Sequence, residues 1–182
     1  MPEVHLKTIQ ASAFKAIFEV LKDIINDVNV YFSAQGMSIL TIDTAHVTLV
    51  HMSLMAENFE EYECTGEVTA GMNMSNVYKL LKSVTSQDTL TLDIKGRDVM
   101  EIKIENPTKK SSTDFKLKLL DINEDILELP DIKMNVVTTL PSVDFQRIAR
   151  DMGNLSNEMT IIREGNHLVL SCQGDFADQT TK

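Results

Sequence analysis

Three segments of the chain repeat apolar residues at the three- and four-residue spacing of an amphipathic helix. We predict one helix from about Ser12 to Asn26, a second from about Ser75 to Val84, and a third after Pro141 and Ser142. A serine precedes each apolar stripe, where a helix N-cap is expected. The stripes comprise Phe14, Ile17, Phe18, Leu21, Ile24 and Ile25; Val77, Leu80, Leu81 and Val84; and Phe145, Ile148, Ala149 and Met152.

Segments with the two-residue alternation of β-strands surround these helices. Apolar residues alternate with polar ones over 90–94 and 100–104, and the intervening residues 95–98 form a turn typical of a hairpin. Because several strands follow each helix, we predict an α+β fold with mainly antiparallel sheets and with the helices on one face. Further strands are predicted over 28–33, 37–42, 46–55 and 115–119.

The pattern of one strand, one helix and several strands recurs along the chain. The helical stripes begin at Phe14, Val77 and Phe145, so that the second and third lie 63 and 131 positions after the first. Internal repetition of this kind predicts pseudo-symmetry. Two repeats fill a first domain, residues 1–120, and a third repeat occupies 134–182 as the first half of a second domain. A fourth repeat is absent from this sequence.

The segment 121–133 between these domains has a different composition. It carries five acidic residues among spaced aliphatic ones, and Pro130 argues against a buried strand. We therefore predict an extended, exposed linker that connects the two domains. The aliphatic residues are unusual for a purely solvated tether and make a binding partner worth considering.

The charges are distributed unevenly. The chain has 27 acidic and 17 basic residues, for a formal net charge of −10, yet each predicted helix carries two cations. Cations gathered on matching helices of an acidic protein indicate a surface that holds a polyanion. Solvated helix faces with local ion pairs, such as Arg147 with Asp144 or Asp151, explain the same pattern. The six cations are Lys15, Lys22, Lys79, Lys82, Arg147 and Arg150.

The sequence offers little for catalysis. The four histidines are scattered, Cys64 and Cys172 are far apart, and no nucleophile with an adjacent base is indicated. The glutamates between Glu57 and Glu67 leave open a metal-dependent nucleic-acid-processing enzyme, although a solvated acidic loop explains them more simply. We predict no metal site and no cofactor. No apolar run approaches the ~20 residues that span a bilayer, and no membrane partner is predicted.

Four phrases of the chain resemble, in order, the proliferating cell nuclear antigen family. They are residues 21–26, 42–50, 118–121 and 145–151. The resemblance implies the DNA-clamp fold: a nuclear ring of three subunits, with helices lining a hole for duplex DNA and sheets outside. It implies a processivity factor without enzymatic activity, which tethers DNA polymerase and other replication and repair proteins. A separate ATP-driven loader opens such rings.

The resemblance also assigns sites. All six helix cations match residues that face the hole, whereas Ala16 and Glu19 stand where the second helix has Lys79 and Lys82. Phe115 and Leu117 match an edge strand that pairs with the neighbouring subunit. A pocket for partner peptides matches Ile42, His46, Val47, Leu49, Leu127, Leu129 and Pro130. For Val47 and Leu49, a place in the core of an ordinary strand remains the alternative.

The chain departs from the family pattern in length. It stops about one repeat short of a complete second domain, and half a domain would leave apolar faces exposed. We therefore expect the sequence to be part of a longer protein, and trimer formation by these residues alone does not follow from the resemblance. Within the same fold, a checkpoint-type or viral clamp relative that acts as a heterotrimer or a monomer remains an alternative.

Overall fold

A computed structural model of the protein describes residues 2–123, 127, 133 and 135–182. The chain divides into two compact units, Met1–Pro130 and Asp131–Lys182, and this boundary falls within the predicted linker. The elements of the first unit are β1 (Val4–Thr8), α1 (Ala11–Ile24), β2 (Asp27–Ser33), β3 (Gly36–Ile42), β4 (Leu49–Met55), β5 (Glu61–Cys64), β6 (Val68–Asn73), α2 (Met74–Leu81), β7 (Thr89–Ile94), β8 (Val99–Asn106) and β9 (Ser111–Lys118).

The predicted repeat is confirmed in the positions of the helices. The second unit contains α3 (Ser142–Gly153), β10 (Thr160–Glu164), β11 (His167–Gln173) and β12 (Asp178–Thr181). The first residues of α1, α2 and α3 are Ala11, Met74 and Ser142, so α2 and α3 begin 63 and 131 positions after α1. These are the separations that the apolar stripes predict.

Two antiparallel sheets build the first unit. The order is β5-β1-β7-β8-β9 in one sheet and β4-β3-β2-β6 in the other. The repeats therefore exchange their first strands: β1 pairs with β7 of the second repeat, and β6 pairs with β2 of the first. This exchange locks the two repeats into one body, and neither repeat can form its sheet alone.

The core of the first unit lies between these sheets and the helix pair. Strand β8 alternates strictly between half-buried and buried residues, and Ile102 faces inward between two solvent-facing neighbours. Helix α1 contributes Phe14 and Phe18, whose ring centroids lie 5.0 Å apart. Phe32 from β2 and Met100 from β8 are also almost completely buried in this cluster. The helices therefore cover the inner faces of both sheets, and an antiparallel α+β fold is confirmed.

The predicted serine N-caps are wrong. The N-cap residues are Gln10, Asn73 and Pro141, and only Asn73 caps its helix with a side chain, because its Oδ1 accepts a hydrogen bond of 3.0 Å from the Asn76 amide. Strand β6 runs directly into α2, so the residue at the junction has to be extended and also able to cap. Helices α1 and α2 end at Ile24 and Leu81, earlier than predicted.

The second unit is a smaller layer. Helix α3 packs on the sheet β10-β11-β12 through Ile148 and Met152, which meet Leu170 and Cys172. Gly153 ends the helix. Every residue of the edge strand β10 is exposed. The repeat unit is thus present, but the apolar cluster within it is small.

Candidate functional site

Four of the predicted cations project from the exposed faces of α2 and α3. Lys79 on α2 and Lys82, the residue that follows α2, correspond in the repeat to Arg147 and Arg150 on α3, and all four side chains are exposed. Their protein contacts are weak: Lys79 Nζ lies 3.4 Å from Asn76 Oδ1, and Arg147 Nη1 lies 3.9 Å from a carboxylate oxygen. Each helix therefore offers two solvated cations one turn apart.

The ion-pair alternative is realised only in part. The carboxylate near Arg147 belongs to Asp151, one of the two acids predicted to pair with it. Among the described residues, Asp144 makes no ion pair with Arg147 within 4.0 Å. An exposed pair at this spacing contributes little and opens readily. The pairing therefore leaves the guanidinium group available to another anion.

Lys15 and Lys22 on α1 behave differently, because both reach onto α2. Lys15 Nζ donates a 2.7 Å hydrogen bond to the backbone carbonyl of Val84. Lys22 Nζ lies 2.6 Å from Asp23 Oδ1 and 5.2 Å from the centroid of the Tyr78 ring. The hydrogen bond to Asp23 raises the pKa of Lys22, which keeps the amine protonated. The structure thus separates the six predicted cations into four solvated ones and two that contact protein.

The loop between β3 and β4 is ordered by one carboxylate. Asp43 Oδ1 accepts hydrogen bonds from the amides of Val47, at 2.9 Å, and Thr48, at 2.8 Å. These bonds, with Thr48 making the largest contribution, lower the pKa of Asp43. His46 adopts a left-handed conformation with φ of 57°, which turns the chain. The predicted strand 46–55 is wrong at its start, because residues 46–48 belong to this loop and β4 begins at Leu49.

The loop displays apolar side chains to solvent. Val47 is 82% exposed, so its alternative assignment to a strand core is wrong. Ile42 and Leu49 face each other across β3 and β4 and are 40% and 38% exposed. His46 is exposed and Leu127 half-buried, while Leu129 and Pro130 of the predicted pocket lie outside the described residues. The described part of the pocket is therefore an exposed apolar patch on the first unit, formed by Ile42, Val47 and Leu49.

Two residues that the sequence reasoning missed hold the start of the linker. Asn29 Nδ2 donates a 3.0 Å hydrogen bond to the Ile122 carbonyl. Gly71 pairs with Leu120, and a Cβ at Gly71 would lie 2.2 Å from the Leu120 oxygen. Together they border a cleft of about 510 Å³ at the end of the four-stranded sheet. A glycine inside a strand is the one sequence signal for such a close approach.

Phe115 and Leu117 lie on β9, the last strand of the five-stranded sheet. Both are half-buried and pack against the core, so their side chains face inward. What the strand offers outward is its backbone edge and the exposed side chains of Asp114, Lys116 and Lys118. Among the described residues no strand pairs with the outer edge of β9, and an open edge of eight residues is a surface for strand addition.

Two of the acidic residues between β4 and β6 contact protein groups. Glu61 contacts both Lys7 and His5, and Glu60 accepts a 2.8 Å hydrogen bond from the Ile9 amide. Within the described ranges, no three or more histidine, cysteine, aspartate or glutamate side chains are grouped as metal ligands would be. These contacts give Glu60 and Glu61 a structural role. They do not support the alternative of a metal-dependent enzyme.

No helix in the part of the chain that the structure describes is both long and apolar enough to cross a membrane.

Comparison with known proteins assigns the whole chain to one family. The models for the N-terminal and C-terminal domains of proliferating cell nuclear antigen match residues 1–127 and 128–182. The chain is 36% identical over 183 residues to a protein of Paramecium bursaria Chlorella virus 1 named "Probable DNA polymerase sliding clamp 1". It is 32% identical over 170 residues to the proliferating cell nuclear antigen of Chaetomium thermophilum.

The solved structure of proliferating cell nuclear antigen from Entamoeba histolytica shares the fold, with a TM-score of 0.90 and 28% identity. The match covers all of this chain and 74% of that protein. The chain spans 70% of the viral clamp and 66% of the Chaetomium protein, and the matches cover 97% and 93% of the chain itself. The predicted resemblance is confirmed, and the chain belongs to the proliferating cell nuclear antigen family of DNA sliding clamps.

Proposed function

We propose that this chain is a subunit of a DNA sliding clamp, a processivity factor that encircles duplex DNA and tethers DNA polymerase and other replication and repair proteins. Family membership supports this role, as does the viral relative whose name is that of a DNA polymerase sliding clamp. The clamp holds its partners on DNA and performs no chemistry. An ATP-driven loader opens the ring.

The observation that carries the proposal is the repeated pair of solvated cations. Lys79 on α2 and Lys82 directly after it, and Arg147 and Arg150 on α3, occupy matching exposed positions in a chain with a net charge of −10. Contacts from such side chains to phosphates carry no sequence information, so the protein can move along the duplex. At the dielectric constant of water each contact contributes about 1 kcal/mol, so retention has to come from encirclement rather than affinity.

A matched charge reversal tests the DNA surface. Lys79→Glu with Lys82→Glu takes the formal net charge from −10 to −14 by two changes of −2 each. Lys109→Glu with Lys110→Glu makes the same charge change at exposed positions in the turn between β8 and β9, where neither lysine is ion-paired among the described residues. Both double variants are assayed for stimulation of a clamp-dependent polymerase on primed circular DNA.

The α2 variant is expected to lose roughly tenfold or more of the stimulation, because two contacts of about 1 kcal/mol each are replaced by repulsion. The control is expected to remain close to the unchanged protein, with both folds intact by circular dichroism. Equal losses in the two variants would show that net charge matters and the position of Lys79 and Lys82 does not.

We further propose that the exposed apolar patch of Ile42, Val47 and Leu49 binds partner peptides, together with His46 and the linker residues Leu127, Leu129 and Pro130. The support is the exposure of Val47 on a loop that Asp43 holds in one conformation. A preformed loop lowers the entropy cost of binding. Burying an aliphatic or aromatic anchor there contributes several kcal/mol, on the order of a binding hot spot.

Replacing Asp43 tests whether loop order matters for this site. Asp43→Ala removes the oxygen that accepts hydrogen bonds from both the Val47 and Thr48 amides but leaves every apolar side chain in place. Binding of an aromatic clamp-binding peptide is expected to weaken about tenfold, with an unchanged melting temperature. Asp43→Asn keeps an oxygen acceptor and should retain most of the affinity. Full affinity in the alanine variant would contradict the role of the loop.

The edge strand β9 supports a closed ring. We propose that the edge bearing Phe115 and Leu117 pairs with a strand of the neighbouring subunit in a homotrimer, which would satisfy the backbone groups along that edge. Sedimentation equilibrium of the full-length protein measures this directly. Three copies per particle are expected, and a monomer at all concentrations would contradict the ring.

We propose a nuclear location from the family. The 36% identity to a clamp of Paramecium bursaria Chlorella virus 1 favours a second candidate, a viral-type clamp whose replication site lies in the cytoplasm. Imaging of the tagged protein during DNA synthesis separates the two: replication foci in the nucleus support the first candidate, and cytoplasmic foci support the second.

A further inference from the structure

Helices α1 and α2 form one antiparallel pair. Lys15 near the start of α1 reaches Val84 just beyond the end of α2, whereas Glu19 and Lys22 farther along α1 meet Tyr78 in the middle of α2. The Tyr78 hydroxyl donates a 2.9 Å hydrogen bond to Glu19 Oε1. Side chains near the start, in the middle and near the end of α1 therefore contact residues on α2 or just after it.

The repeat separates the helix positions into two registers. A shift of 63 residues takes Lys15 to Tyr78 and Lys22 to Thr85, and Lys15, Lys22 and Tyr78 are half-buried residues that contact the partner helix. The pseudo-symmetry between the two repeats therefore relates two contacts. One is that of Lys15 beside Thr85, and the other is that of Lys22 with Tyr78. We call the positions that make these contacts the interhelix register.

The second register faces outward. The same shift takes Ala16 to Lys79 and Glu19 to Lys82, and a further 68 residues lead to Arg147 and Arg150. All six positions are exposed. The second and third repeats therefore carry a cation at both exposed positions, whereas the first repeat has Ala16 at one and, at the other, Glu19, which accepts the hydrogen bond from Tyr78.

The contacts of the α1 lysines have a structural rationale. A buried backbone carbonyl needs a hydrogen-bond donor. Val84 lies three residues beyond the end of α2 and is 1% exposed, and the ammonium of Lys15 donates to its carbonyl. Lys22 gains the face of the Tyr78 ring and the carboxylate of Asp23. Releasing either lysine to bind a phosphate would break these contacts.

We propose that Lys15 and Lys22 are positioning residues that fasten α1 to α2, and that the cations of α2 and α3 carry the contact with duplex DNA. This inference rests on the proposed clamp function, because it divides the six cations between two tasks. It makes α1 the weakest DNA-contacting helix of the three, and it departs from the expectation that all six cations face the duplex.

Lysine footprinting tests the division directly. The protein is treated with formaldehyde and a hydride reductant, either free or after its ATP-driven loader has placed it on nicked circular duplex DNA, and methylation of each lysine is quantified by mass spectrometry. Lys79 and Lys82 are expected to react fast and to become at least about twofold protected by the duplex, since phosphates neutralise such contacts. Lys15 and Lys22 are expected to react slowly with or without the duplex.

Matched variants test the two tasks separately. Lys15→Met and Lys22→Met keep the apolar stem and are each expected to lower the melting temperature by about 2–4 °C, the shift for losing one such contact in a protein of this size. Lys79→Met and Lys82→Met should leave the melting temperature unchanged. Ala16→Lys places a cation at the exposed position of α1 that matches Lys79 and is expected to steepen the dependence of log K on log salt by about 0.9.

The outcomes distinguish this inference from the proposed function. Protection of Lys15 and Lys22 by the duplex, with unchanged melting temperatures in their methionine variants, would overturn the division of tasks and leave the clamp function standing. Absence of protection at all four lysines would overturn DNA contact by α2 and with it the proposed function. The melting temperatures are measured without DNA, so the fastening role is tested in either case.

Discussion

Strands β2 and β10 hold equivalent places in the first and third repeats but differ in burial. Val30 on β2 is completely buried, whereas Ile161, 131 positions later on β10, is 53% exposed. Val30 and Ile161 are both β-branched aliphatic residues, so the type of side chain does not cause the difference at this position. Its cause is pairing: β2 lies between β3 and β6, whereas β10 has β11 on one side and, among the described residues, no strand on the other.

The comparison shows how the repeat gains stability. In the first unit the exchange of β1 and β6 between repeats buries a single cluster that includes residues from both helices and both sheets. In the second unit, the buried cluster that the described residues form has four members, Ile148, Met152, Leu170 and Cys172. One repeat therefore forms a layer of helix and sheet with a small apolar cluster. A large core forms where two repeats pack together.

The largest effect is expected from the matched pair Phe14 and Phe145. Phe14→Ala removes a buried ring that packs on Phe18 and should lower the free energy of unfolding of the first unit by about 3–5 kcal/mol. Phe145 is half-buried, and its replacement should cost only about 1–2 kcal/mol. Urea titration followed by circular dichroism measures both. Equal losses would remove the distinction between the two units.

A smaller effect is expected from introducing a hydroxyl group into the two equivalent strands. Val30→Thr places it in a dry core and should cost about 1–3 kcal/mol in the free energy of unfolding. Ile161→Thr on the exposed strand should change it by less than about 0.5 kcal/mol. The same urea titration applies. A large loss at Ile161 would mean that β10 is covered in solution, which would break the comparison.

The close approach of β6 to the chain after β9 offers a third test. Gly71→Ala puts a methyl group 2.2 Å from the Leu120 oxygen and should destabilise the first unit by about 1–3 kcal/mol. Gly66→Ala, where the added methyl group meets nothing within 4 Å, is the control. A neutral Gly71 variant would show that Leu120 moves away freely and that the linker is not held there.

The smallest effect lies on the solvent face of the first unit. A hydrogen bond with Asp93, at 2.7 Å, and a weaker one with Glu61 raise the pKa of His5 above its ordinary 6.5. The stabilising contribution is therefore fully present below the unfolded pKa and is lost as the pH rises through the folded pKa. His5→Gln should remove the fall of the urea midpoint that the unchanged protein shows as the pH rises from 6.5 through the raised folded pKa. An identical profile in both proteins would show that the contact contributes nothing.

Periodicity along the chain predicts the helices, most strands and the repeat, because each depends on local side-chain alternation. The choice of N-cap residue could not be predicted in the same way. A serine stands near each helix start, yet Asn73 is placed at the junction because β6 has to continue into α2. That requirement comes from sheet pairing, which is not local.

The candidate site shows the same limit. Charge and resemblance single out six cations, but a single sequence does not reveal that Lys15 points at the Val84 carbonyl. The outward positions of Ala16 and Glu19 were visible in the repeat, whereas the interhelix register needed the packing of α1 on α2. Likewise, the alternating segment around Val47 predicts a strand. The residues form a loop instead, because Asp43 accepts hydrogen bonds from the amides four and five residues later.

Topological retention tests the central claim most directly. The full-length protein is loaded by its ATP-driven loader onto a nicked circular plasmid, and the DNA is separated by gel filtration at high salt. The account predicts that the protein elutes with the circle, because encirclement does not depend on charge, and that cutting the plasmid once releases it. Equal retention on cut and circular DNA, or no retention on the circle, would contradict a clamp.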